Sequence, residues 1–257
     1  MEEKTENTIE NTQIDIEKEP PYKKYPRFKD WIFRLVLFGV GLIGLELITI
    51  VIQLIVMAVN PSYVDEKSDL YLTGITIINS VRYAVLTVMF VILLFPRLRV
   101  ILAKFKNWKH DLIGLAGGVA LILLSMLYNF IISQFVDLGV NNNEEAAESM
   151  ITMFPVISIF ILGMIGPICE EITYRYGLFG CLKKKNIILA YIVTTIVFAF
   201  IHFDFTGDLV TELLNIPTYL IAGFGLTFIY HKWGFNASII AHVFNNMYVI
   251  VLTIIGL

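Results

Sequence analysis

From Trp31 onward the chain alternates long apolar runs with short polar segments. The first run extends from about Trp31 to Val59, the second from Thr73 to Phe95 and the third from Leu112 to Val136. A fourth begins near Met150 and, read as one helix, continues to Leu182. The fifth covers about Asn186 to Phe203, the sixth Ile216 to Tyr230 and the seventh Asn236 to the last residue. A helix rising 1.5 Å per residue crosses a hydrocarbon core of about 30 Å in about 20 residues. The pattern predicts an all-α polytopic membrane bundle of about seven transmembrane helices, the sixth being the shortest. Within the basic segment Arg97 to Asp111, Leu98, Ile101, Leu102 and Phe105 keep helical spacing, which predicts an interfacial amphipathic helix.

Composition agrees with this pattern. The 257 residues are 57% hydrophobic and 16% charged, against about 25% charged in a soluble domain. The charges sit between the runs and alternate in sign. Basic segments precede the first run and follow the second, fourth and sixth; acidic segments around Asp65, Glu144 and Asp204 separate them. Lys- and Arg-rich loops stay in the cytoplasm, so the N-terminus is expected inside and the protein in the cell membrane. Residues 1–30 are polar, lack the apolar stretch of a secretory leader, and are expected to form a disordered cytoplasmic tail. Residues 31–257 form the expected membrane domain. Its two cysteines, Cys169 and Cys181, suggest neither a disulfide nor a metal cluster, and Cys169 reads as a packing residue.

Three polar patterns interrupt the apolar second half: Glu170-Glu171 with Arg175, Phe198 with His202, and His242 with Asn246. A charge at the bilayer centre costs at least ~2.5–3.5 kcal/mol, so each needs a partner, water or a reaction. Glu171 and Arg175 stand four apart and share a helical face, where they reduce each other's cost. Glu170 points about 100° away and is free to act. His242 and Asn246 repeat the four-residue spacing, with Asn245 a weaker candidate beside them. Counted from the basic ends at 1.5 Å per residue, Glu170, His202 and His242 lie roughly 18, 24 and 12 Å deep, close enough to converge. A glutamate in an apolar pocket suits proton abstraction from water, and histidine and amide groups suit an oxyanion. The same Glu170, His202 and His242 could instead hold a divalent metal such as zinc.

In this order and on separate spans, the patterns resemble the CAAX-protease and bacteriocin-processing (Abi, CPBP) family of intramembrane glutamate- or metalloproteases. Its signature is Glu-Glu-x-x-x-Arg, Phe-x-x-x-His and His-x-x-x-Asn. The resemblance covers about residues 150–250 and implies a peptide hydrolase. In it Glu170 activates water, with His202 opposite and His242 and Asn246 as oxyanion donors. Glu171, Arg175 and Phe198 support them. No cofactor is required, although a divalent metal is open. The implied partners are the lipid bilayer and a membrane-associated peptide or protein substrate, with no nucleic acid. The implied roles are bacterial peptide maturation, quorum sensing or bacteriocin immunity. Two other readings compete: a non-catalytic immunity or sensor-interaction protein retaining the fold, and an ion-coupled transporter. The lack of an internal repeat weighs against the transporter.

Overall fold

The computed structural model describes residues 30–105 and 107–256, so the tail expected at 1–30 lies outside the described residues except for Asp30. Those residues form nine main helices, two single 3-10 turns at Pro61–Tyr63 and Phe95–Arg97, and no strand. They are α1 (Asp30–Val59), α2 (Tyr71–Leu94), α3 (Leu98–Lys104), α4 (Trp108–Ile132), α5 (Asn142–Met153), α6 (Pro155–Leu182), α7 (Ile187–Phe200), α8 (Leu209–Trp233) and α9 (Phe235–Ile255). Six apolar helices are long enough to cross a membrane, beginning with α1, α2, α4, α6, α8 and α9. The chain is a multi-pass membrane protein with a helical bundle fold.

The expected span missing from these six is the fifth, α7, whose 14 residues rise only about 21 Å. The short span is therefore the fifth and not the sixth. Helix α8 has 25 residues because the acidic stretch before Ile216 is helical. Asp208 caps its start, accepting the Thr211 N–H at 2.8 Å. Glu212 turns inward and accepts backbone N–H groups from Asn142 at 3.0 Å and Asp204 at 3.1 Å.

The fourth run is likewise not one helix. Asn141 caps α5 through the Glu144 N–H at 2.9 Å, so the polar segment after the third run starts a helix. Phe154, at φ −133° and ψ 62°, then breaks the chain before Pro155 opens α6. The amphipathic helix expected over Arg97 to Asp111 is limited to α3, and α4 starts at Trp108.

Helix α6 runs through the middle of the bundle, and every residue from Glu171 to Phe179 is buried. Lipid tails are as apolar as leucine, so helices here associate by close packing rather than by hydrophobic transfer. Gly114 and Gly118 of α4 show what that needs. A Cβ on Gly114 would lie 2.6 Å from the Ala237 carbonyl of α9, and one on Gly118 2.9 Å from that of Ala241. The backbones of α4 and α9 touch at these points, which fixes the helix that carries His242 and Asn246.

Polar contacts gather the two kinds of connecting segment at opposite ends of the bundle. Asp30 binds Arg34 at 2.8 Å, Arg97 at 2.8 Å and Lys184 at 3.4 Å, joining the start of α1, the end of α2 and the end of α6. At the other end Asn142 donates to Asp204 at 3.0 Å, and Asn215 to the Leu138 carbonyl at 3.3 Å.

Candidate active site

The two adjacent glutamates have different surroundings. Glu171 is wholly buried and serves three donors. Arg175 Nη1 pairs with its Oε1 at 2.8 Å, His242 Nδ1 reaches the same oxygen at 2.9 Å, and the Ser238 hydroxyl donates to Oε2. A buried carboxylate is tolerable when its charge is met in this way. Arg175 also donates through Nη2 to the Gly223 carbonyl at 3.3 Å and lies 4.2 Å over the Phe198 ring. The spacing that suggested the Glu171–Arg175 pair presumes an α-helix, whereas Glu171–Phe179 is a π-helical stretch. The wider turn keeps residues four apart adjacent, so the pair forms. Such π segments recur at functional sites.

Glu170 has no such set of donors. Its side chain is 19% exposed and its Oε2 lies 3.6 Å from His242 Nε2. It borders a cavity of about 440 Å³, whose walls also carry His202, His242, Asn245 and Asn246. A second cavity of about 230 Å³ lies on the other side of Glu170 and His202. The candidate residues from α6, α7 and α9 thus face one space.

Hydrogen bonding fixes the histidine tautomers. His202 lies just past the end of α7, with Nδ1 2.8 Å from the Phe198 carbonyl. A carbonyl only accepts, so Nδ1 carries the proton and Nε2 of the neutral ring is an acceptor. Asn246 donates one amide hydrogen to the Leu162 carbonyl at 3.1 Å, leaving its second for the cavity. Phe198 is 2% exposed and sits among these groups, with ring centroids 4.9 Å from His202 and 5.8 Å from His242.

Among the described residues no three His, Cys, Asp or Glu side chains gather as a metal-holding group. His202 and His242 each commit Nδ1 to a protein acceptor. That leaves Nε2 of each ring, beside Glu170, as the nitrogen available to water, substrate or an ion.

Four residues at the site escape the motif pattern, Ser238 buried behind it and three on the cavity walls. Ser238 stands four residues before His242, on the face already marked as polar. Tyr219 stacks on His202, and Tyr83 and Arg82 of α2 border both cavities. Arg82 was detectable, since it is the one charged residue in α2. Tyr219 has no comparable signal, because an aromatic residue in a membrane helix is ordinary.

The stretch that holds this site is similar to known proteins. Residues 152–248 match the family model of the type II CAAX prenyl endopeptidase Rce1-like proteins. The matched stretch contains all three motifs. The chain is 28% identical over 207 residues to an uncharacterized protein of Mycoplasma capricolum, covering 74% of this chain and 57% of that one. It is 26% identical to the putative membrane peptidase YdiL of Bacillus subtilis, covering 57% of this chain and 60% of that one. It is 28% identical to the membrane-embedded CAAX protease MroQ of Staphylococcus aureus, covering 56% and 58%. The matches to these relatives therefore span about three fifths of their length. No solved structure matches.

Proposed function

We propose that this protein is an intramembrane endopeptidase. It hydrolyses a peptide bond of a membrane-associated peptide or protein with water activated by Glu170. The observation that carries the reading is the inequality of the adjacent glutamates. Glu171 is fully committed to three donors, while Glu170 borders a cavity with two histidines and an asparagine.

A water between Glu170 and His202 gives one hydrogen to the carboxylate and the other to His202 Nε2. Its lone pair is then directed at the scissile carbonyl. As the oxygen–carbon bond forms, Glu170 takes the first proton. The oxyanion accepts from the free Asn246 amide hydrogen and from His242 Nε2 when that ring is doubly protonated. Collapse breaks the C–N bond, and Glu170 returns its proton to the leaving amine. One water is consumed, and a carboxylic acid and an amine are released. Glu171, Arg175 and Ser238 hold His242 in place.

The basic ends gathered at Asp30 support a reading with that end of the bundle, and the N-terminus with it, in the cytoplasm. The names of the relatives support a peptidase and leave the biological pathway, whether peptide maturation, signalling or bacteriocin immunity, to genetics. The test is cleavage of a membrane-peptide library by the purified protein and by Glu170→Gln. Loss of about 10²–10⁴-fold in the variant, at unchanged thermal stability, is expected. Equal cleavage by both would overturn the assignment, and failure of the native protein to cleave anything would favour a binding role for the fold.

A further inference from the structure

Arg82 is the only charged residue among the 24 of α2 and stands near the helix midpoint. A lone arginine at that depth needs a counter-ion or water. Arg34 and Arg97 share Asp30, and Arg175 has Glu171. Arg82 forms no ion pair among the described residues, and its buried Nε lacks a hydrogen-bond partner. Its guanidinium carbon lies 5.1 Å from the centre of the Tyr83 ring.

Its position is as informative as the absence of an ion pair. Arg82 borders the cavity of about 440 Å³ and the one of about 230 Å³, and Glu170 and His202 border both. The carboxylates on the same walls are Glu46 of α1, Glu144, Glu148 and Glu170, and among the described residues none forms an ion pair with it. Glu170 faces His242 Nε2 at 3.6 Å, and Glu144 accepts from the Tyr219 hydroxyl at 3.3 Å. Glu148 lines the larger cavity without an ion pair to Arg82.

We propose that Arg82 is an anchoring residue for a carboxylate of the substrate, held in the cavity beside Glu170. The inference rests on the peptidase reading for the identity of the occupant. A guanidinium presents a planar fork of donors that matches a carboxylate bidentately. The pairing completes when the peptide enters, so the charge in α2 is matched only in the complex. It also fixes the register of the peptide against Glu170, because carboxylate and scissile bond then sit at a set distance. The carboxylate is either the terminal group of the peptide or an acidic side chain.

Binding tests this without relying on hydrolysis. In the full-length Glu170→Gln background, fluorescence titration would compare dansyl-Leu-Leu-Leu carrying a free terminal acid with its terminal amide. A second pair of terminal amides, dansyl-Leu-Asp-Leu and dansyl-Leu-Asn-Leu, isolates the side-chain acid. Preference for the acid in one pair by at least about tenfold is expected, and which pair shows it names the source. Arg82→Met should abolish that preference while leaving amide binding unchanged, and Arg82→Lys should retain part of it. If Arg82→Met does not fold, the weakened preference of Arg82→Lys carries the test. Equal binding of acid and amide in both pairs, or a preference untouched by either variant, would overturn the proposal. So would stabilisation by phosphatidylglycerol vesicles that disappears in Arg82→Met with no acid preference, which would give Arg82 to lipid phosphate. Cleavage surviving Glu170→Gln would count against the peptidase mechanism and leave this result standing.

Discussion

Tyr219 of α8 stacks on His202, with ring centroids 4.5 Å apart and planes within 19°. Its hydroxyl contacts Asn141 at 3.2 Å, Asn143 at 3.3 Å and Glu144 at 3.3 Å. Glu144 lies outside the membrane spans, and burial raises its pKa above the ordinary carboxylate value. The stack holds the His202 ring, whose Nε2 must face water, and ties it to the start of α5.

Tyr219→Leu removes both the stack and the hydroxyl contacts. Aromatic pairs contribute about 0.5–1.5 kcal/mol beyond burial, so activity should fall up to about tenfold. Tyr219→Phe keeps the stack and should fall less. Cleavage rates of the two variants measured side by side check the order, and equal rates would mean that the ring does not position His202.

The Glu171–Arg175 pair should dominate stability. Removing one partner leaves an unmatched buried charge, at about 3–5 kcal/mol. Arg175→Met should therefore lower the thermal unfolding midpoint in detergent steeply, with Glu171→Gln close behind. The double variant should be more stable than the sum of the two losses predicts, because no lone charge remains. Thermal melts of all three, with a double-mutant cycle, measure this coupling.

Gly118→Ala tests the contact between α4 and α9. The added Cβ would stand 2.9 Å from the Ala241 carbonyl and 2.9 Å from Phe244, so α9 must shift. Overpacking of this kind costs about 1–3 kcal/mol. Activity should drop as well, since His242 and Asn246 move with α9. A variant as active and as stable as the native protein would show that the interface has slack.

Removal of metal should leave cleavage unchanged. Dialysis against a strong chelator, followed by peptide hydrolysis, makes the measurement. Loss of activity that zinc restores would instead assign Glu170, His202 and His242 to an ion.

Much of this was legible in the sequence because a membrane makes polar residues conspicuous. The apolar runs place α1, α2, α4 and α9 to within a few residues. The four-residue spacing identifies the Glu171–Arg175 partnership. Boundaries failed where polar residues act as helix caps or turn inward. Asn141, Asp208 and Glu212 look like loop residues by charge, yet each accepts backbone N–H groups that open or brace a helix. The π-helical stretch from Glu171 was hidden because a change of hydrogen-bond register leaves no mark in the order of side-chain types. Arg82 was overlooked for a different reason: it belongs to no short motif, and only the fold brings α2 against α6.

The three contacts of Asp30 have a mechanical consequence. One carboxylate pins the start of α1, the end of α2 and the end of α6, so these ends behave as a fixed hinge block. The larger cavity is walled by α5 residues from the opposite end, including Glu144, Ala147 and Glu148. Widening at that end would have to exchange the contacts of Asn142 with Asp204 and Glu212 and those of Tyr219 with Asn141 and Glu144. The two ends are thus held by different means, one by cations gathered on a single carboxylate, the other by amides and acids bound to backbone and hydroxyl groups.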